Sequence, residues 1–123
     1  MLYAVLCYNS EDTVFSWSKQ EEEAVMTKLI AAQEKMAKAG KLGPVARLMP
    51  TTTAMTIRKG KEPIVMDGPF AETKEQLLGF YVIDCDNLDE AIETAKDLAR
   101  ASGSAGAFEI RPLAVFRPGG PIA

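Results

Sequence analysis

Apolar positions change their spacing several times along the chain, and each change marks an element. Leu2-Tyr3-Ala4-Val5-Leu6-Cys7-Tyr8 is an unbroken apolar run too short for a helix. Asn9-Ser10-Glu11-Asp12 closes it, so it predicts a buried, central strand. From Ser18 to Ala39 the spacing becomes helical, with Val25, Leu29, Ala32 and Met36 on one face and Met26, Ile30 and Ala37 widening it. Glu21, Glu22 and Glu23 open that helix, Lys35, Lys38 and Lys41 close it, and Gly40 supplies the stop, in keeping with the helix dipole. Val45 to Met49 predicts a short extended piece. Thr51 to Arg58 alternates and is β-branched, and Lys59-Gly60-Lys61 turns it back into Pro63-Ile64-Val65-Met66, which predicts a hairpin. Leu78 to Asp84 is a further strand. Asn87 with Glu90 three residues on signals a second helix, with Ala91, Ile92, Ala95, Leu98 and Ala99 as its apolar face. After the small-residue connection Ser102 to Gly106, Phe108 to Val115 predicts a last strand, placed at an edge because Pro112 cannot donate to a ladder.

This succession is β-α-β-β-α-β with an extra hairpin in the middle. It predicts an α+β, ferredoxin-like unit with two helices on one face of an antiparallel sheet, the first strand lying beside the Leu78 strand. Residues 1–123 form one domain, with 116–123 as a loose tail. A sheet covered on one face leaves the apolar side chains of its other face to be buried elsewhere, which predicts a homodimer.

Composition narrows the chemistry. With 47% apolar and 25% charged residues among 123, the chain has the make-up of a folded globular domain. Its net charge of -3, from 14 basic and 17 acidic side chains, gathers no basic cluster, so nucleic acid is not an expected partner. No stretch is long and apolar enough for a membrane helix, and Met1 to Tyr8 lacks the features of a secretory leader, so a cytoplasmic protein starting at its own methionine is expected. Cys7 and Cys85 fit no metal or redox spacing and are expected at opposite ends of the sheet as unbridged thiols. The chain contains no histidine, which excludes His-based triads and His-ligated metal sites. Neither a metal site nor a cofactor is expected.

The densest local signal is Asp67-Gly68-Pro69-Phe70-Ala71-Glu72-Thr73-Lys74-Glu75, a polar loop between two apolar strands. Together with Gly79-Phe80-Tyr81, it resembles the signature of the DGPF proteins of the YCII-related group. Ala54-Met55-Thr56-Ile57-Arg58 and Phe108-Glu109-Ile110-Arg111-Pro112 also look like their counterparts in that group. The resemblance spans nearly the whole chain and implies a dimeric α+β barrel in which two ferredoxin-like subunits pack sheet against sheet. It also implies a cleft that in some relatives uses a histidine and aspartate pair. This chain departs from that pattern, having no histidine to place there.

The candidate site residues follow from chemistry and from that resemblance. Asp67 is the candidate general acid or base if a barrel mouth buries it; an Asp before Gly-Pro also organises a turn through its own backbone. Phe70, Glu72, Lys74, Tyr81 and Arg58 are candidate ligand contacts. Each has a structural alternative: Phe70 as a plug of the core or seam, Glu72 and Lys74 as solvated loop charges, Tyr81 as strand core, and Arg58 as a solvated strand-end cation. Thr73 and Gln76 have capping-box spacing and predict a single helical turn. Trp17 is either a staple for the first long helix or the cover of a pocket opening.

Two functions compete. In the first, the protein binds a small organic molecule, aromatic or otherwise apolar, in a barrel or cleft pocket, with acid–base chemistry at Asp67. An enzyme of that kind would be metal-independent and of lyase or dehydrochlorinase type, working without histidine. In the second, the chain is a non-catalytic interaction or regulatory module, which the resemblance connects to transcription through sigma factors encoded nearby.

Overall fold

The computed structural model describes residues 1–103 and 105–120. The first apolar run is strand β1 (Leu2–Asn9), and it lies at the centre of a four-stranded antiparallel sheet with β2 (Leu42–Arg47), β5 (Gln76–Asp84) and β6 (Ala107–Pro112). The order across the sheet is β2-β5-β1-β6, with β1 antiparallel to both neighbours. This is the ferredoxin-like arrangement that the element order predicts. The hairpin of β3 (Met55–Arg58) and β4 (Ile64–Asp67) forms a two-stranded sheet of its own.

Two long helices cover one face. In α2 (Lys19–Lys38) the Ser18 side chain accepts from the Glu21 amide at 3.1 Å while the Glu21 carboxylate accepts from the Ser18 amide, a complete capping box. In α3 (Leu88–Ser102) the Asn87 side chain accepts from the Glu90 amide at 2.9 Å. The Glu90 carboxylate reaches back to the Asp86 amide and forms an ion pair with Lys41, joining the end of α2 to the start of α3. That pairing holds Glu90 below the usual carboxylate range and Lys41 above the usual ammonium range. The core lies between this layer and the sheet. Tyr3, Val5, Tyr81 and Ile83 alternate along β1 and β5 and pack with Met36, Ala91, Ala95 and Leu98. By the same alternation Ala4, Leu6, Phe80 and Val82 belong to the opposite face.

Several boundaries differ from the sequence expectations. The polar closure after β1 is a short helix, α1 (Glu11–Phe15), with Val14 donating to the Ser10 carbonyl at 3.1 Å. Five residues are too few to show a period. The segment expected as strand from Thr51 begins instead with a 3-10 turn, Thr51–Thr53. Both the Thr53 amide and its hydroxyl donate to the Pro50 carbonyl, a local arrangement that competes with a ladder. The extended piece expected from Val45 starts at Leu42; a register shift between Leu42 and Val45 takes up Gly43 and Pro44 on this edge strand. The last strand stops at Pro112 rather than Val115, because β1 offers no partner before Leu2, whose carbonyl takes the amide of Leu113. Of the expected tail, Phe116 to Gly120 is irregular, and 121–123 lie outside the described residues, as does Ser104 in the connection after α3.

Candidate functional site

Two concavities among the described residues hold Tyr81 on the one hand and Asp67, Glu72 and Lys74 on the other, while Phe70 and Arg58 line neither. The first is an apolar cavity of about 280 Å³ under the N-terminal half of α2. Met36 is the one α2 residue in the buried core, so the C-terminal half of the helix seats on the sheet while the N-terminal half leaves space. Val25, Met26 and Leu29 line that space from above, Trp17 and Val14 close its end, and Tyr81 and Phe108 lie along the strands. Trp17 occupies the position of a hydrophobic staple, but the residue that would meet it, Glu22, is charged; the indole serves as cavity wall.

Polar atoms enter this cavity at few points. The Gln33 side-chain amide donates to the Tyr81 hydroxyl at 3.4 Å, which leaves the phenol proton to be given elsewhere. Burial pushes the Tyr81 phenol above its ordinary value, so it is a neutral donor at physiological pH. The Cys7 thiol also lines the cavity, and burial pushes it up to about 12, which keeps it protonated and unreactive. Arg47, also lining the cavity, pairs with Glu22 of α2 at 3.3 Å, tying the helix to β2.

The second concavity is an open groove of about 680 Å³ at the base of the hairpin, and Asp67 lines it. Asp67 ends β4 opposite Met55 and is exposed. The turn after it is set by Gly68, whose φ of +94° suits glycine, whose amide donates to the Ala54 carbonyl at 2.9 Å and whose carbonyl accepts from the Thr56 hydroxyl at 2.8 Å. Glu72 and Lys74 line the same groove, together with Glu11 and Asp12 from the start of α1. Phe70 is 71% exposed, and the Arg58 guanidinium lies over its ring at 4.8 Å from the centroid. The helical turn expected at Thr73 is absent. The Thr73 hydroxyl donates to the Glu75 carbonyl, the Gln76 side-chain amide donates to the carbonyls of Ala71 and Thr73, and Gln76 itself pairs with Asn9 at the start of β5. Asp67 and Tyr81 therefore face different spaces, and Arg58 lines neither. Among the described residues no group of three or more Cys, Asp or Glu side chains is placed to hold a metal ion. No helix among them is long and apolar enough to cross a membrane.

The YCII-related domain profile matches residues 1–117. The chain belongs to the YCII-related family. It is also 63% identical over 120 residues to an uncharacterized protein of Rhizobium meliloti (strain 1021), the match covering 97% of each chain. In this YCII-related fold the two thiols stay unbridged, Cys7 within β1 and Cys85 past the end of β5, where its amide donates to the Met1 carbonyl at 3.0 Å.

Gln33, Cys7 and Arg47 line this cavity and are not among the candidates the sequence suggests. Gln33 had a usable signal. It lies four residues after Leu29 and three before Met36, a polar side chain on the apolar face of α2. Arg47 and Cys7 had none, because what brings them to the cavity is the pairing of Arg47 and Cys7 with Gly79 from either side.

Proposed function

We propose that this YCII-related protein is a homodimer whose subunits each bind a small, mainly apolar molecule carrying a hydrogen-bond acceptor, in the cavity beneath α2. One observation carries the reading: an apolar cavity of about 280 Å³ has a neutral tyrosine hydroxyl inside it, already oriented by Gln33 and with its proton left to donate. The volume is at the lower end for small-molecule sites, which suits a single substituted aromatic ring. A phenol, aryl ketone or halogenated phenol presents both the apolar body and the acceptor oxygen that such a site would take. The homodimer part of the reading is supported by the sheet face carrying Leu6 and Phe80 and by the apolar hairpin, both of which remain partly uncovered in one subunit. Proton chemistry by Asp67 has no place inside this cavity, since that carboxylate lines the separate groove.

The test is a thermal-shift screen of hydroxylated and halogenated aromatics, followed by calorimetric titration of any compound that binds. Tyr81→Phe is expected to weaken acceptor-bearing compounds roughly 2- to 12-fold, the range set by one net hydrogen bond, and to spare purely apolar ones. Leu29→Trp should fill the cavity and remove binding of both kinds while the protein stays folded. Undiminished affinity in Leu29→Trp would place the ligand elsewhere.

A further inference from the structure

The hairpin is an exposed structure with an unusual distribution of surface. Met55, Ile57, Ile64, Val65 and Met66 each expose half or more of their area. By register Met55, Ile57 and Val65 share one of its faces, and Ile64 and Met66 share the other. Both faces therefore expose large apolar side chains, the second also carrying Arg58 with the Phe70 ring against it, and neither strand pairs with the main sheet. A two-stranded ribbon of this kind is marginal in water by itself.

Its two ends carry opposite charge. Arg58, Lys59 and Lys61 surround the tip against a single Glu62. At the base, the groove is lined by Glu11, Asp12, Asp67 and Glu72 against a single Lys74. A second copy of the same chain, turned by a two-fold axis, brings each tip to the other's base, because an isologous contact repeats every pairing in reverse. The strands of the ribbon are four residues each, about 13 Å, so two ribbons lying antiparallel side by side overlap along their apolar faces while the charges meet at both ends.

We propose that the hairpins are exchanged arms of the homodimer: the basic tip of one chain seats in the acidic groove of a second copy, and one apolar face of each ribbon packs on the same face of the other. This rests on the homodimer reading above and adds to it the place of contact and the charges that set its register. Asp67 and the loop after it then form part of the receiving surface.

Charge reversal at both ends tests it. Sedimentation velocity at low salt is expected to show a dimer for the wild type, with association weakening as salt rises. Lys59→Glu with Lys61→Glu should weaken self-association at least tenfold, and so should Asp12→Lys with Glu72→Lys, since each homodimer then opposes like charges at both ends. Mixing the two reversed proteins should restore a dimer of near wild-type affinity, because both tip-to-groove contacts are attractive again. Circular dichroism on each variant confirms that the fold persists, as expected for exposed side chains. A wild-type protein that stays monomeric would overturn both the homodimer and the arm exchange. A dimer indifferent to both reversals, with no preference for the mixed species, would overturn the arm exchange alone.

Discussion

Gly79 shows how a single residue position can be legible in the sequence while its reason is not. It sits in the Gly-Phe-Tyr strand with ordinary extended backbone, so no turn demands glycine there. A Cβ at this position would stand 2.6 Å from the Ala46 carbonyl oxygen and 3.4 Å from the Arg47 Cα, closer to the oxygen than atoms pack. Gly79→Ala must push β2 away from β5, and it is expected to cost about 1–3 kcal/mol in urea unfolding. A midpoint equal to wild type would show that β2 is not held against Gly79. The letters of the motif were visible from the start; which backbone passes over them was not. Tyr81 has the same history. Its place in a buried strand follows from the apolar run, but its partner Gln33 lies 48 residues away, and nothing local announces that pairing. Asp67 drew attention for its chemistry, yet its exposed position at the end of a ribbon depends on how the hairpin projects.

At the scale of elements, what the sequence carries is periodicity and capping. Both long helices were readable because apolar residues recur over enough positions to show a period of 3.6, and the hairpin because the Lys59-Gly60-Lys61 turn separates a β-branched run from an apolar one. The short helix α1 and the Thr51–Thr53 turn were not, since polar side chains and local hydrogen bonds decide segments of that length. The junction of α2 with α3 makes its own prediction. Lys41 and the Asp86 amide hold Glu90 below its ordinary value of 4.5, so this carboxylate stabilises the fold above that pH. The contribution is lost as pH falls through the lowered folded value. Lys41 moves the other way and stays protonated throughout the acid range, so the loss on acidification reports protonation of Glu90. Glu90→Gln should therefore be less stable than wild type at neutral pH, with the difference closing as the pH falls below about 4.5. Chemical denaturation at about pH 7 and about pH 3 checks this, and a gap that stays constant would assign the loss to something other than the charge.

For the whole molecule, the sheet order and the helix layer followed from the succession of elements, because few topologies connect those elements without crossing. The cavity did not follow. It exists because α2 seats on the sheet at Met36 and stands off it from Val25 to Leu29, a tilt that no periodicity records. The candidate residues are divided accordingly, with Tyr81 in the cavity beneath α2 and the carboxylates gathered at the hairpin base. Amide correlation spectra of the isotope-labelled protein, recorded while a halogenated phenol such as 4-chlorophenol is titrated in, test this division most directly. The expected result is that shifts concentrate at Cys7, Leu29, Gln33, Tyr81 and Phe108. Shifts confined to Asp67 through Gln76, with the α2 amides unmoved, would contradict it.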